Sequence, residues 1–102
     1  MNLPFKMRTE TQMEKYRHDS FFQKEPETLE WIRSFSPHDV FFDVGANVGV
    51  YSLFASSLYP EMTIWAFEPM KANYAALIQN IEMNGFHNIK AFRQAIGNRT
   101  GW

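Results

Sequence analysis

The sequence contains no cysteine. That excludes a disulfide framework, a thiol nucleophile and a cysteine-ligated zinc or iron–sulfur centre. Neither sign of charge is in excess: 10 basic and 11 acidic side chains leave a formal net charge of -1 with histidines neutral. An electrostatic binder of nucleic acid or of a membrane surface needs a basic excess or patch, so neither partner is expected. Lys71, Lys90, Arg93 and Arg99 are too dispersed to form one. No apolar run approaches the roughly 20 residues of a membrane span, and the amino terminus lacks a charged-then-apolar signal pattern. A cytoplasmic location is therefore the default expectation. What is present is a hydrophobic fraction of 45%, a charged fraction of 21% and a large aromatic complement of 10 Phe, 4 Tyr and 3 Trp in 102 residues. Such a chain folds, as one domain at most.

Residues 1–24 read as a polar amino-terminal extension with Met7, Met13, Tyr16, Phe21 and Phe22 as scattered apolar points, and a weak helical period over 9–22. Residues 25–35 form a better helix, with Pro26 suited to the first turn, Glu25 and Glu27 at the positive end, and Leu29 and Ile32 on one face. Residues 40–44, Val-Phe-Phe-Asp-Val, are a continuous apolar run broken only by Asp43, which reads as a strand buried on both faces. A glycine turn at 45–49 leads into a helix carrying Val50, Tyr51, Phe54, Ala55 and Leu58 on one side, ended by Tyr59-Pro60. A second strand over 62–67 closes at Glu68-Pro69, and 71–84 is the clearest helix, with Tyr74, Leu77, Ile78 and Ile81 at helical spacing and Gly85 at the left-handed cap position. A third strand spans 89–93. Strands alternating with amphipathic helices specify an α/β fold with a parallel sheet and right-handed crossovers. Phe41, Phe42, Trp65 and Phe67 are expected in its core.

In open parallel sheets, ligands bind beyond the carboxyl ends of the strands. Asp43, the turn Gly45-Ala46-Asn47-Val48-Gly49, Glu68 and Gln94 all fall there. Glycines let a ligand approach the backbone, and free N–H groups at a helix start favour an anionic group. Glu68 follows Asp43 at close to the interval of roughly 20 residues at which an acidic side chain accepts bonds from ribose hydroxyls in nucleotide folds. A nucleoside ligand follows. The dinucleotide fingerprint needs a second glycine where Asn47 stands, which disfavours a nicotinamide-dependent oxidoreductase. An amide suits the ammonium or carboxylate of an amino acid, and Asp43 would repel a pyrophosphate and attract a cationic centre. An adenosyl amino acid fits these residues better.

Four ordered blocks carry a family resemblance: Asp43-Val44-Gly45-Ala46-Asn47-Val48-Gly49-Val50-Tyr51-Ser52, Ala66-Phe67-Glu68-Pro69, Asn80-Ile81-Glu82-Met83-Asn84-Gly85 and Gln94-Ala95-Ile96-Gly97-Asn98. They resemble the opening of an S-adenosylmethionine-dependent methyltransferase of the FkbM family. The resemblance implies a Rossmann-like class I methyltransferase fold, of which residues 25–102 would supply only the first wing: three parallel strands in the order 3-2-1 with flanking helices. It implies S-adenosyl-L-methionine as cosubstrate, O-methyl transfer, and a small-molecule or saccharide acceptor. Asp43 would bind the methionine amino group directly or through water, Gly45, Asn47 and Gly49 would shape the turn that accepts this moiety, Glu68 would accept from the ribose hydroxyls, and Gln94 with Ala95 and Ile96 would border the adenine. The few residues after Ile96 are too short for a further strand and helix, so no catalytic base can be named.

Simpler roles compete at each position. The turn can be a bare strand-to-helix connection, Asp43 a helix-capping carboxylate, Glu68 a solvated acid before a proline, and Gln94 a common polar residue after a strand. His18, His38 and His87 have no metal-ligand spacing and read as solvated side chains. Without a fourth strand, the first strand would be an edge, and its apolar ladder would invite self-association. The alternative function is thus a non-catalytic module that binds a nucleoside ligand or a partner chain through that open strand.

Overall fold

A computed structural model describes residues 3–9, 12, 15, 16, 19 and 26–96. The expected order of elements is found: α1 (Pro26–Arg33), β1 (Val40–Val44), α2 (Val50–Leu58), β2 (Thr63–Phe67), α3 (Lys71–Asn84) and β3 (Ile89–Phe92). The helix expected over 9–22 lies outside the described residues, apart from helical backbone at Gln12, Lys15, Tyr16 and Asp19. Helix α1 stops two residues short of Phe35, because the Ser34 hydroxyl turns back to the Trp31 carbonyl and Ser36 and Asp39 close a tight turn. Helix α3 ends at the left-handed Gly85, whose N–H donates to the Glu82 and Ile81 carbonyls.

The strands form one parallel sheet in the order β1-β2-β3. Val40 faces Thr63 and Val44 faces Phe67 across the first pair; Ile64 faces Ile89 and Phe67 faces Phe92 across the second. Both crossovers step in the same direction, and right-handed crossovers of that kind put their helices on one face. On that face Phe41, Ile64, Ala66 and Ile89 are buried, with Leu29, Ile32, Leu53, Phe54, Leu77 and Ile81 from the helices packed into the same core.

The expectation that β1 is buried on both faces is corrected here. Its residues alternate, with Phe41 and Asp43 buried and Val40, Phe42 and Val44 more than half exposed. No element among the described residues covers the second face. Phe42 and Trp65, expected in the core, instead lie on this open face in a ladder of rings: Phe42 to Trp65 is 5.5 Å between centroids, Trp65 to Phe92 5.8 Å, and Phe67 stacks on Phe92 at 5.1 Å. Ring contact shields Phe67, which is buried, as expected.

Residues 3–9 also contribute. Phe5 and Met7, two apart in a stretch with no helical or strand pairing, both enter the core. No helix among the described residues is long and apolar enough to cross a membrane.

Candidate functional site

Asp43 shares the period-two face of Phe41, and Glu68 that of Ile64 and Ala66, so both carboxylates belong to the helix-covered side of the sheet. Register brings them to neighbouring strand ends: Asp43 pairs with Ala66, and Glu68 is the first residue after β2. Both are buried, at 7% and 3% exposure. That excludes the reading of Glu68 as a solvated acid.

Each carboxylate has defined partners. Helix α2 is preceded by Gly49 at its N-cap, which has no side chain with which to cap it. Asp43 does so from the preceding strand: its Oδ2 accepts the Ser52 hydroxyl at 2.6 Å, and the Ser52 backbone N–H also bonds the carboxylate. The capping role is therefore real. It satisfies a helix-start donor and places a negative charge at the positive end of the helix. Burial raises the Asp43 carboxyl above its ordinary value; the Ser52 hydroxyl and N–H bonds offset part of that rise, and the Glu68 charge adds to it. Glu68 Oε1 accepts the Asn47 N–H at 2.7 Å, and its Oε2 accepts the Met70 N–H at 3.0 Å. One carboxylate thus ties the glycine turn to the start of α3.

The turn is wound by three positive φ angles: 71° at Gly45, 56° at Asn47 and 98° at Gly49. Asparagine tolerates the left-handed region better than other side-chain-bearing residues. Asn73 steadies it by donating from Nδ2 to Asn47 Oδ1 at 3.1 Å. At Gly49 a Cβ would sit 2.5 Å from Leu77 Cδ1, so both conformation and close approach demand glycine. The Gly45 and Ala46 N–H groups both donate to the Phe67 carbonyl at 2.9 Å, which bends the turn over the end of β2.

Asp43, Gly45, Asn47, Gly49 and Glu68 are thus gathered in one place. Gln94 lies apart from this bonded group, exposed two residues past β3 with Ala95 and Ile96 beside it, and Gly97 and Asn98 fall outside the described residues. Ser52, Asn73 and Asn80 join the site although sequence reasoning gave them no role. Ser52 and Asn80 stood inside the quoted blocks, and that position was the only available signal. Chemically, the site is a pair of buried carboxylates at the ends of two parallel strands, beside a turn with little side-chain bulk. It favours a cationic ligand carrying hydroxyls over a pyrophosphate.

No protein-family model matches the chain. Over 44 residues, 43% of its length, the chain is 52% identical to the 31-O-demethyl-FK506 methyltransferase FkbM of Streptomyces tacrolimicus. Over 62 residues, 60% of its length, it is 34% identical to Methyltransferase 1 of Beauveria bassiana (strain ARSEF 2860). These matches cover 17% and 25% of the two relatives, so the chain spans a quarter or less of the curated proteins it resembles. Among solved structures, the precorrin-6y C5,15-methyltransferase of Geobacter metallireducens GS-15 superposes with a TM-score of 0.66 at 20% identity, covering 92% of this chain and 45% of that one. P. horikoshii TYW2 in complex with MeSAdo superposes with a TM-score of 0.59 at 21% identity, covering 69% and 26%. The chain therefore has the Rossmann-like fold of methyltransferases, and its sequence is FkbM-like, as the four blocks led us to expect.

Proposed function

We propose that the chain forms the cosubstrate-binding wing of an S-adenosylmethionine-dependent methyltransferase that methylates an oxygen of a small molecule or saccharide. The observation that carries this reading is the buried pair Asp43 and Glu68 at adjacent strand ends, joined by a turn with three left-handed residues. S-adenosylmethionine supplies an electrophilic methyl on a sulfonium sulfur, which an acceptor oxygen takes by in-line displacement. The residues fit such a ligand. Asp43 offers its charge to the ammonium group, and the Gly45–Gly49 turn accommodates the amino-acid end. Each Glu68 oxygen accepts one backbone N–H, which leaves each a second acceptor position for a hydroxyl of the ribose. Gln94, Ala95 and Ile96 border the base. These residues bind and orient; orientation and exclusion of water are the main contributions a protein makes to such a transfer. The name of one relative, a 31-O-demethyl-FK506 methyltransferase, supports oxygen as the acceptor atom. A structural neighbour held with MeSAdo supports an adenosyl ligand.

Isothermal calorimetry with S-adenosylhomocysteine tests the proposal. Saturable one-to-one binding is expected, with affinity lowered at least about tenfold in Asp43→Asn, since losing a buried charged partner is worth more than about 1.4 kcal/mol. An absence of heat with the wild-type chain overturns the proposal.

The open face favours a second reading, in which the chain associates with a polypeptide through β1. A groove of about 240 Å³ beside that strand is lined by Trp31, Phe35, Asp39, Val40, Phe41 and Phe42. Concentration-dependent elution in size-exclusion chromatography, without nucleoside binding, would select that reading.

A further inference from the structure

The third sequence block, Asn80 to Gly85, takes no part in the function proposed above, yet the structure ties it to the glycine turn. Asn80 is fully buried. A carboxamide in such a place needs its donors and its acceptor met. Its Nδ2 donates to the Val48 carbonyl at 2.8 Å, and its Oδ1 accepts the Arg8 backbone N–H at 2.6 Å. One helical turn on, Asn84 Oδ1 accepts the Lys6 N–H at 2.6 Å while Asn84 Nδ2 donates to the Lys6 carbonyl at 2.7 Å. Residues four apart rise about 6 Å along a helix. Alternate residues of an extended chain advance about 6.6 Å, so two asparagines on α3 can serve residues 6–8 as a surrogate strand. Met7, between Lys6 and Arg8, and Phe5, just before Lys6, are buried in the core.

Val48 stands between Asn47 and Gly49, both at positive φ. A non-glycine residue held left-handed persists only where its surroundings over-determine it. Glu68 and Asn73 hold the Asn47 side of the turn; Asn80 holds the Val48 carbonyl. Because the second half of the same carboxamide is held by Arg8, the docked segment fixes the orientation from which Asn80 reaches the turn.

We infer that Asn80 is a positioning residue for the cosubstrate turn, and that residues 3–9 act on that turn through it. The inference rests on reading the turn as the cosubstrate site. It makes the amino-terminal segment part of the binding unit.

The test uses the full 102-residue chain with Asn80→Ala, Asn80→Asp and Asn84→Ala, read by amide hydrogen exchange without ligand and by S-adenosylhomocysteine calorimetry. Asn80→Ala should speed exchange at Ala46, Asn47 and Gly49 about tenfold or more while β2 amides keep their rates, and should weaken binding by a similar factor. Asn80→Asp retains the acceptor for Arg8 but sets an oxygen against the Val48 carbonyl. It should loosen the turn with the Arg8 amide still protected. Asn84→Ala should expose the Lys6 amide and loosen the turn by a smaller factor. Unchanged turn exchange in Asn80→Asp overturns the positioning role, as does equal acceleration across the whole sheet in Asn80→Ala. Unchanged turn exchange in Asn84→Ala, with Lys6 deprotected, overturns the coupling to the segment. If the wild-type chain fails to bind the nucleoside, the functional reading falls, while the exchange data still decide the coupling.

Discussion

Phe41 and Phe42 are neighbours on β1, yet one is 7% exposed and the other 58%. Ile64 and Trp65 on β2 repeat the contrast at 0% and 38%. Both faces of the sheet carry large apolar side chains, but the helices cover only one of them. With the strands ordered β1-β2-β3, every right-handed crossover lands on one side, so burial follows from topology and not from side-chain type. The contrast also locates the chemistry. Asp43 and Glu68 fall on the covered face, where partners from the helix starts and the turn can hold a desolvated charge, whereas the open face carries rings and no organised polar group among the described residues.

The sharpest way to break this contrast is to truncate one residue on each face of β2. Ile64→Ala should cost about 2–5 kcal/mol in chemical denaturation, as for other large-to-small changes in a packed core. Trp65→Thr should cost about 1 kcal/mol, the scale of its ring pairs with Phe42 and Phe92. Equal losses would mean that both faces are covered in solution.

A second test asks what the charge on the covered face is for. Asp43 is raised above its ordinary value of 3.8, so below that pH it is protonated in both folded and unfolded chains. As pH rises from there through the raised folded value, the unfolded chain ionises first and folding stability falls. Asp43→Asn removes that loss, and its carboxamide oxygen still accepts the Ser52 hydroxyl. The variant should therefore melt higher than wild type at pH 7, with the advantage shrinking toward pH 4, while binding S-adenosylhomocysteine at least about tenfold more weakly. Lower melting at pH 7 together with unchanged S-adenosylhomocysteine affinity would assign Asp43 to structure alone.

On the open face, Phe42→Lys places a charge where water already reaches. It should cost about 1 kcal/mol or less, through loss of its ring contacts with Trp65 and Phe67, and should abolish any concentration-dependent self-association seen in sedimentation. Retained association would direct attention away from β1.

Much of the fold could be read because its signals are local. Helix α3 matches the expected 71–84 to the residue, since its apolar period and Gly85 cap lie within one short window. The strand β1 and the turn after it are equally local; the crossover rule supplied the parallel sheet and its handedness, and the family resemblance supplied the strand order. What could not be read depends on neighbours distant in sequence. Val-Phe-Phe-Asp-Val does not say which of its faces a helix will cover, so burial on both faces was expected and alternation was found. Phe5 and Met7 are only two apolar points in a polar stretch, too few to set a period, and what places them is a helix more than 70 residues away. Ser52 joins Asp43, and Asn73 joins Asn47, only once α2 and α3 have been laid over the strand ends. The resemblance marked Asn80 without a reason; the reason is a carbonyl in the turn. Gln94 was expected beside the site, and its exposed position past β3 leaves its role to the ligand experiment.

The central claim is that the strand ends, and not the open ring ladder, receive an adenosyl ligand. Amide and indole NMR shifts recorded during titration with S-adenosylhomocysteine test it most directly. The account predicts saturable shifts at Gly45, Ala46, Asn47, Gly49, Glu68 and Gln94, with the Trp65 indole and the amides of Val40 and Phe42 unmoved. Saturable shifts confined to Phe42, Trp65 and Phe92, or no shifts at the turn, would contradict it.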